Sequence, residues 1–237
     1  MDEKTRKAYV RVCLISGLAG ALGFVLRLLL YRIGMDDKGL LKAWHPLTLG
    51  VVLAALAAGA GILACALQLP KKSTCPGPVG PVPAAGSLIL GLCLVPFLYL
   101  CYQNGANTLV ILAGAIAAAA MLAAAFYQLR GRQPYFLLYA LVSLFFAVYL
   151  VTRYRSWSQN PQMMDYVLVL LGSVMMMLYA FQLAQGSLGQ AGKRPLAVYG
   201  GLGALLCLAG ASGGEAVPLC LGGAIWMLTG LVSGGKA

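Results

Sequence analysis

The chain has 237 residues, of which 61% are hydrophobic and only 10% charged, with 17 Lys and Arg against 6 Asp and Glu for a net charge of +11. A soluble domain carries roughly 45 to 50% apolar and about 25% charged residues, so an ordinary cytosolic fold is excluded. The basic residues are scattered over short connectors and form no contiguous stripe, which argues against nucleic acid as a partner and for membrane lipids with anionic headgroups.

Eight apolar runs occupy about residues 10 to 32, 46 to 69, 84 to 102, 107 to 129, 134 to 152, 165 to 185, 196 to 212 and 216 to 233. Each is close to the roughly 17 to 25 residues that carry a helix across a ~30 Å hydrocarbon core. A spanning segment must satisfy its own backbone polar groups, and these Leu-Ala runs lack the alternation of a β-barrel. The prediction is an all-α, polytopic transmembrane helix bundle of about eight spans, forming one integral membrane domain over residues 1–237.

The first run follows Lys4, Arg6 and Lys7 and continues past Ala19, Gly20 and Ala21 to Leu30. That is longer than the roughly 7 to 15 apolar residues of a cleaved signal, so a retained span is expected. Ala19 and Gly23, like Ala57 and Gly61 in the second run, have the spacing of close helix contacts. Arg27 is the one charge clearly inside a run. Two turns from the outer end, it either snorkels to the interface with Tyr31 and Arg32 or faces an outward cavity. In the cavity it would pair with Asp165, Glu215 or an anionic ligand group.

The next connector carries Asp36, Asp37 and the single histidine, His45. One histidine cannot supply the ligand sets of familiar zinc hydrolases, and no metal or other cofactor is predicted. Beside Asp36 or Asp37 it is a weak candidate for a general base. Trp44-His45-Pro46 also reads as a helix start at headgroup level.

Residues 70–83 are rich in proline (Pro70, Pro76, Pro78, Pro81, Pro83) with Gly77 and Gly80, which predicts an extended cytoplasmic strap. In the third run Pro96 removes a backbone donor and predicts a kink. The fourth run, with alanine at 117–120 and 123–125, is expected inside the bundle, where small side chains let backbones approach. Met175, Met176 and Met177 with Tyr179 are candidates to line a pliable pocket. The glycine-rich seventh and eighth runs are short enough to be read as one re-entrant pair.

The second, fourth and sixth runs end alike, as Ala66-Leu67-Gln68-Leu69, Phe126-Tyr127-Gln128-Leu129 and Ala180-Phe181-Gln182-Leu183, and the second and eighth begin alike, as Pro46-Leu47-Thr48-Leu49-Gly50 and Pro218-Leu219-Cys220-Leu221-Gly222. The pattern suggests four helical-hairpin repeats, with Gln68, Gln128 and Gln182 as a polar ring at the cytoplasmic mouth. With the N-terminus inside, eleven of the 17 basic residues fall on the cytoplasmic side, so both termini are expected in the cytoplasm. The seven cysteines show no C-x-x-C and read as packing residues, with a Cys101 to Cys220 bridge near the outer surface as a minor alternative.

No carboxylate lies in the middle of a run, which argues against ion-coupled transport. The leading expectation is a multi-pass protein of the cell (plasma) membrane without a recognisable catalytic motif. It would bind or move an apolar or amphipathic small molecule or lipid, entering near Arg27, Asp36, Asp37, His45 and Asp165, alone or as a subunit of a larger transporter. One alternative is an intramembrane lipid-modifying enzyme using His45 with an outer carboxylate. The other is a structural or assembly partner of further membrane subunits.

Overall fold

The computed structural model describes residues 3–33, 46–70, 77–157, 163–212 and 214–234. Among these the chain forms eight helices and no strand: α1 (Glu3–Ile33), α2 (Pro46–Leu67), α3 (Pro81–Gln103), α4 (Thr108–Leu129), α5 (Phe136–Trp157), α6 (Met163–Ser187), α7 (Lys193–Gly210) and α8 (Val217–Gly234). Seven are long and apolar enough to cross a membrane; α7 is the exception. The bundle is that of a multi-pass membrane protein. Its lipid-facing surface is an apolar coat of side chains such as Leu18, Leu56, Val95, Leu112 and Val151.

Boundaries differ from the apolar runs where chemistry moves them. α1 begins at Glu3, about two turns before its run, and Glu3 binds Lys7 at 2.7 Å, the i,i+4 pair that supports a helix N-terminus. α3 begins at Pro81, inside the predicted strap. Proline lacks the N–H that a first-turn residue could not use, and Gly80 supplies φ 123° before it. Pro96 lies on the exposed face of α3, which runs unbroken past it to Gln103.

α3 packs on α4, α4 on α5, α5 on α6, α6 on α7, α7 on α8, and α8 back on α3, which closes a ring of six helices. The α1–α2 hairpin lies outside that ring, docked on α7 and, through α1, on α8. Each part has its own core. Leu90, Phe97, Met121, Phe145, Tyr149, Met176, Tyr179 and Trp226 belong to the ring, whereas Tyr9, Val12, Ile62 and Leu69 belong to the hairpin and its seat on α7 and α8.

Aromatic rings from helices that are not neighbours fill the ring interior. Phe97 of α3 meets Tyr149 of α5 edge-to-face at 5.5 Å, and Tyr179 of α6 meets Trp226 of α8 in the same way at 4.9 Å. Such pairs contribute roughly 0.5 to 1.5 kcal/mol beyond area burial. Met176 and Tyr179 are thus buried in the ring's core.

The glycines of α7 and α8 make this packing possible. In lipid, helix association gains little from hiding apolar surface and depends on close van der Waals contact. Gly223 seats the Met176 sulfur and Gly230 the Tyr179 hydroxyl. A Cβ on Gly222 would come within 2.7 Å of the Cys93 Cβ and 3.3 Å of the Leu90 Cα, so it would push apart the α3–α8 seam that closes the ring. α7 and α8 are two separate 18-residue helices, each about 27 Å long at 1.5 Å per residue.

Small residues on α1 serve the same purpose, with Gly20 and Gly23 lying against Leu208 and Ala209 of α7. α4 departs from expectation. It occupies the ring between α3 and α5, buries Gly114, Ala117, Ala118, Ala120, Ala124 and Ala125, and leaves Leu109, Leu112 and Ile116 exposed. The more enclosed span is α8.

Candidate functional site

Two polar nodes close the two ends of the six-helix ring. At the end that carries the α1 N-terminus, Gln128 of α4 is 1% exposed. Its side chain accepts from the Ser87 hydroxyl of α3 at 2.9 Å, and its amide donates to the Tyr139 hydroxyl of α5 at 2.8 Å and to the Pro78 carbonyl at 3.2 Å. The Gly80 N–H donates to the Gln128 carbonyl at 3.3 Å. Gly77 and Pro78 of the strap are buried, and Pro78 and Gly80 are bound to the bundle, so this part of the strap is no free spacer. Gln68 is exposed and Gln182 half-buried, and neither joins Gln128 in this network, so the three glutamines form no ring.

At the opposite end, Arg153 in the last turn of α5 forms an ion pair with Glu215, just before α8. Each charge suits its helix terminus, because the macrodipole favours a cation at a C-terminus and an anion at an N-terminus. The second carboxylate oxygen of Glu215 accepts from the Asn104 side chain at 2.8 Å, and the Arg153 guanidinium donates to the Cys101 sulfur at 3.5 Å. The side chains of Arg153 and Glu215 are 15% and 18% exposed. α5 and α8 face one another across the ring without direct packing, so the pair, with Asn104 at the end of α3, spans the ring's mouth.

Beneath this latch lies Tyr149, fully buried, with the Arg153 guanidinium 5.8 Å from its ring centre. The Tyr149 hydroxyl has no hydrogen-bond partner among the described residues. A buried polar group of that kind costs about 1 to 3 kcal/mol and calls for an explanation. Cys207 and Cys220, fully buried on α7 and α8, lie side by side, and Cys220 is close to Tyr149. The conceivable Cys101 to Cys220 bridge is absent, as both are free thiols.

Of the predicted site residues, Arg27 is placed in full. It is 4% exposed, its Nη2 lies 3.4 Å from the Tyr31 hydroxyl, and its guanidinium sits 5.8 Å from the Tyr31 ring centre. Glu215, one expected partner of Arg27, is instead engaged by Arg153 and Asn104. Asp165 stands in the first turn of α6, and its side chain is outside the description. Asp36, Asp37 and His45 lie outside the described residues, and with them the acid–base pair of the enzymatic alternative.

Sequence reasoning assigned no role to Arg153 and counted it among loop charges. One signal was available: Glu215 is the single acid between the last two runs, and Arg153 ends a run on the same side of the predicted membrane. The chain matches no protein-family model, no curated protein and no solved structure.

Proposed function

We propose that this chain is a multi-pass protein of the cell membrane, both termini cytoplasmic, that binds or moves an apolar or amphipathic small molecule or lipid through the outer mouth of its six-helix ring. The observation that carries this reading is the Arg153–Glu215 latch over the Tyr149 hydroxyl, which has no hydrogen-bond partner among the described residues. Both charges sit at helix ends and in a turn, so the latch can part with the helices intact. Once parted, it uncovers a guanidinium, a carboxylate and a phenol above an aromatic floor, a set suited to a polar head with an apolar body. The basic residues at the opposite end, among them Arg6, Arg11, Arg130, Arg132 and Arg194, support the orientation.

The test uses the full chain in detergent, with thermal unfolding followed against decanoic acid, dodecylamine and lysophosphatidylcholine as anionic, cationic and zwitterionic probes. At least one raises the midpoint of the wild type, and Tyr149→Phe abolishes the rise while leaving the unliganded midpoint unchanged or slightly higher. Absence of any rise, or a rise that survives in both Tyr149→Phe and Glu215→Gln, refutes the reading.

A second reading is favoured by the filled aromatic interior. In it the ring is a rigid structural subunit, and the latch only clamps it. Co-purification of a stoichiometric membrane partner with the tagged chain, together with no response to any probe, supports that alternative.

A further inference from the structure

Away from the latch, at the other end of the bundle, an open groove of about 680 Å³ runs between the last turns of α4, the α4–α5 connector, the start of α5 and the end of α6. Its volume falls in the roughly 300 to 1,000 Å³ range of small-molecule sites. Ala123, Tyr127, Phe136, Leu137 and Leu188 give it an apolar lining, and the Tyr127 and Tyr135 rings meet edge-to-face at 5.4 Å. Phe136, Leu137 and Leu188 are 47%, 56% and 58% exposed, so the groove opens on the lipid-facing surface.

The α4–α5 connector, whose Gln133, Pro134 and Tyr135 line the groove, also carries Arg130 and Arg132, both exposed and just before Gln133 in the chain. Arg130 lies flat over the Phe126 ring at 4.1 Å, and the Arg132 N–H is tied to the Tyr127 carbonyl at 3.0 Å. These contacts hold the connector against the end of α4. Among the described carboxylates, the one at this end is Glu3, which is bound to Lys7, and Glu215 sits at the far mouth.

We propose that this groove is a binding site for an anionic glycerophospholipid, with one acyl chain lying along Tyr127, Phe136, Leu137 and Leu188 and the headgroup phosphate held by Arg132 and Arg130. The apolar trough selects a lipid over a free anion, which would leave it empty. The paired arginines select negative net headgroup charge over a zwitterion, since a guanidinium suits phosphate oxygens and basic sites between spans recognise anionic headgroups. The site is independent of the outer mouth and stands whether or not the mouth takes a ligand.

The test is native mass spectrometry and thermal unfolding of the full chain titrated with phosphatidylglycerol or phosphatidylcholine of matched acyl chains. The wild type binds phosphatidylglycerol more tightly and unfolds at higher temperature with it. Arg130→Gln with Arg132→Gln weakens phosphatidylglycerol binding by on the order of tenfold and erases the preference. Leu137→Asn with Leu188→Asn, at exposed positions that leave the core intact, weakens both lipids alike. Arg6→Gln with Arg11→Gln removes the same charge from the same end away from the groove and leaves the preference in place. Equal binding of the two lipids by the wild type, or equal loss in the two arginine double variants, overturns the proposal. The second outcome identifies diffuse surface attraction. Tyr149→Phe leaves lipid preference untouched, so failure at the outer mouth is distinguishable from failure here.

Discussion

The two ends of the six-helix ring are closed in opposite ways. The end that carries the α1 N-terminus is held by Gln128, a neutral side chain 1% exposed that joins Ser87, Tyr139 and Pro78 from three other segments. The opposite end is held by a charge pair at the rim, on helix termini and a turn, with side chains 15% and 18% exposed. A buried neutral network fixes a junction, because each group it leaves unpaired incurs a desolvation cost with no water to meet it. An ion pair at helix ends beside the rim can exchange its partner for water or a ligand without unfolding either helix. This contrast underlies the proposal that the Arg153–Glu215 end is the one that opens, with the Gln128 end as its fixed base.

The largest expected effect comes from breaking the inner node. Gln128→Ala strands the Ser87 and Tyr139 hydroxyls and the Pro78 carbonyl, at about 1 to 3 kcal/mol for each group that finds no new partner, so a loss of ~3 kcal/mol or more is expected in detergent unfolding. Ser87→Ala, which removes one arm, should cost about 1 kcal/mol in the same measurement. A Gln128→Ala protein as stable as the wild type would remove the inner half of the comparison.

Between the ends, Gly222→Ala tests whether the α3–α8 seam closes the ring. A methyl group there meets Cys93 and the Leu90 backbone, so overpacking of about 1 to 3 kcal/mol is expected from the unfolding midpoint. Gly17 has open space where its Cβ would lie, and Gly17→Ala should be neutral or slightly stabilising as a helix-propensity change.

The Arg153–Glu215 latch should cost less to break than the Gln128 node. Glu215→Gln keeps the Asn104 contact within reach and lowers stability by only about 1 kcal/mol, and in a double-mutant cycle with Arg153→Gln the coupling should shrink as salt is raised. A coupling that stays large in high salt would make the outer end a second permanent junction.

Much of the fold was legible because crossing lipid demands long apolar helices, and seven of the eight runs carry that signature on their own. α7 does not, because it opens with Lys193 and Arg194 and is built of glycines shaped to receive Val12, Tyr179 and Met227 from other helices. Read along the chain, those glycines look like weakness; their reason lies in partners that only the three-dimensional packing supplies. The same limit hid the site. Gln128 resembles Gln68 and Gln182 in local sequence, and only the arrival of Ser87, Tyr139 and Pro78 sets it apart. Arg153 and Glu215 are distant in sequence, and charge counting placed both on the outer side without pairing them.

Cys101, fully buried and in contact with Arg153, is a native reporter of the mouth. The most direct measurement is the rate at which a membrane-impermeant thiol reagent, added outside, modifies Cys101 in wild type and in Glu215→Gln, with the site read by peptide mass spectrometry. An outer latch that opens predicts slow labelling of the wild type and much faster labelling of the variant, with Cys207 protected in both. Cys101 equally inert in the two proteins, with the variant folded, would contradict it.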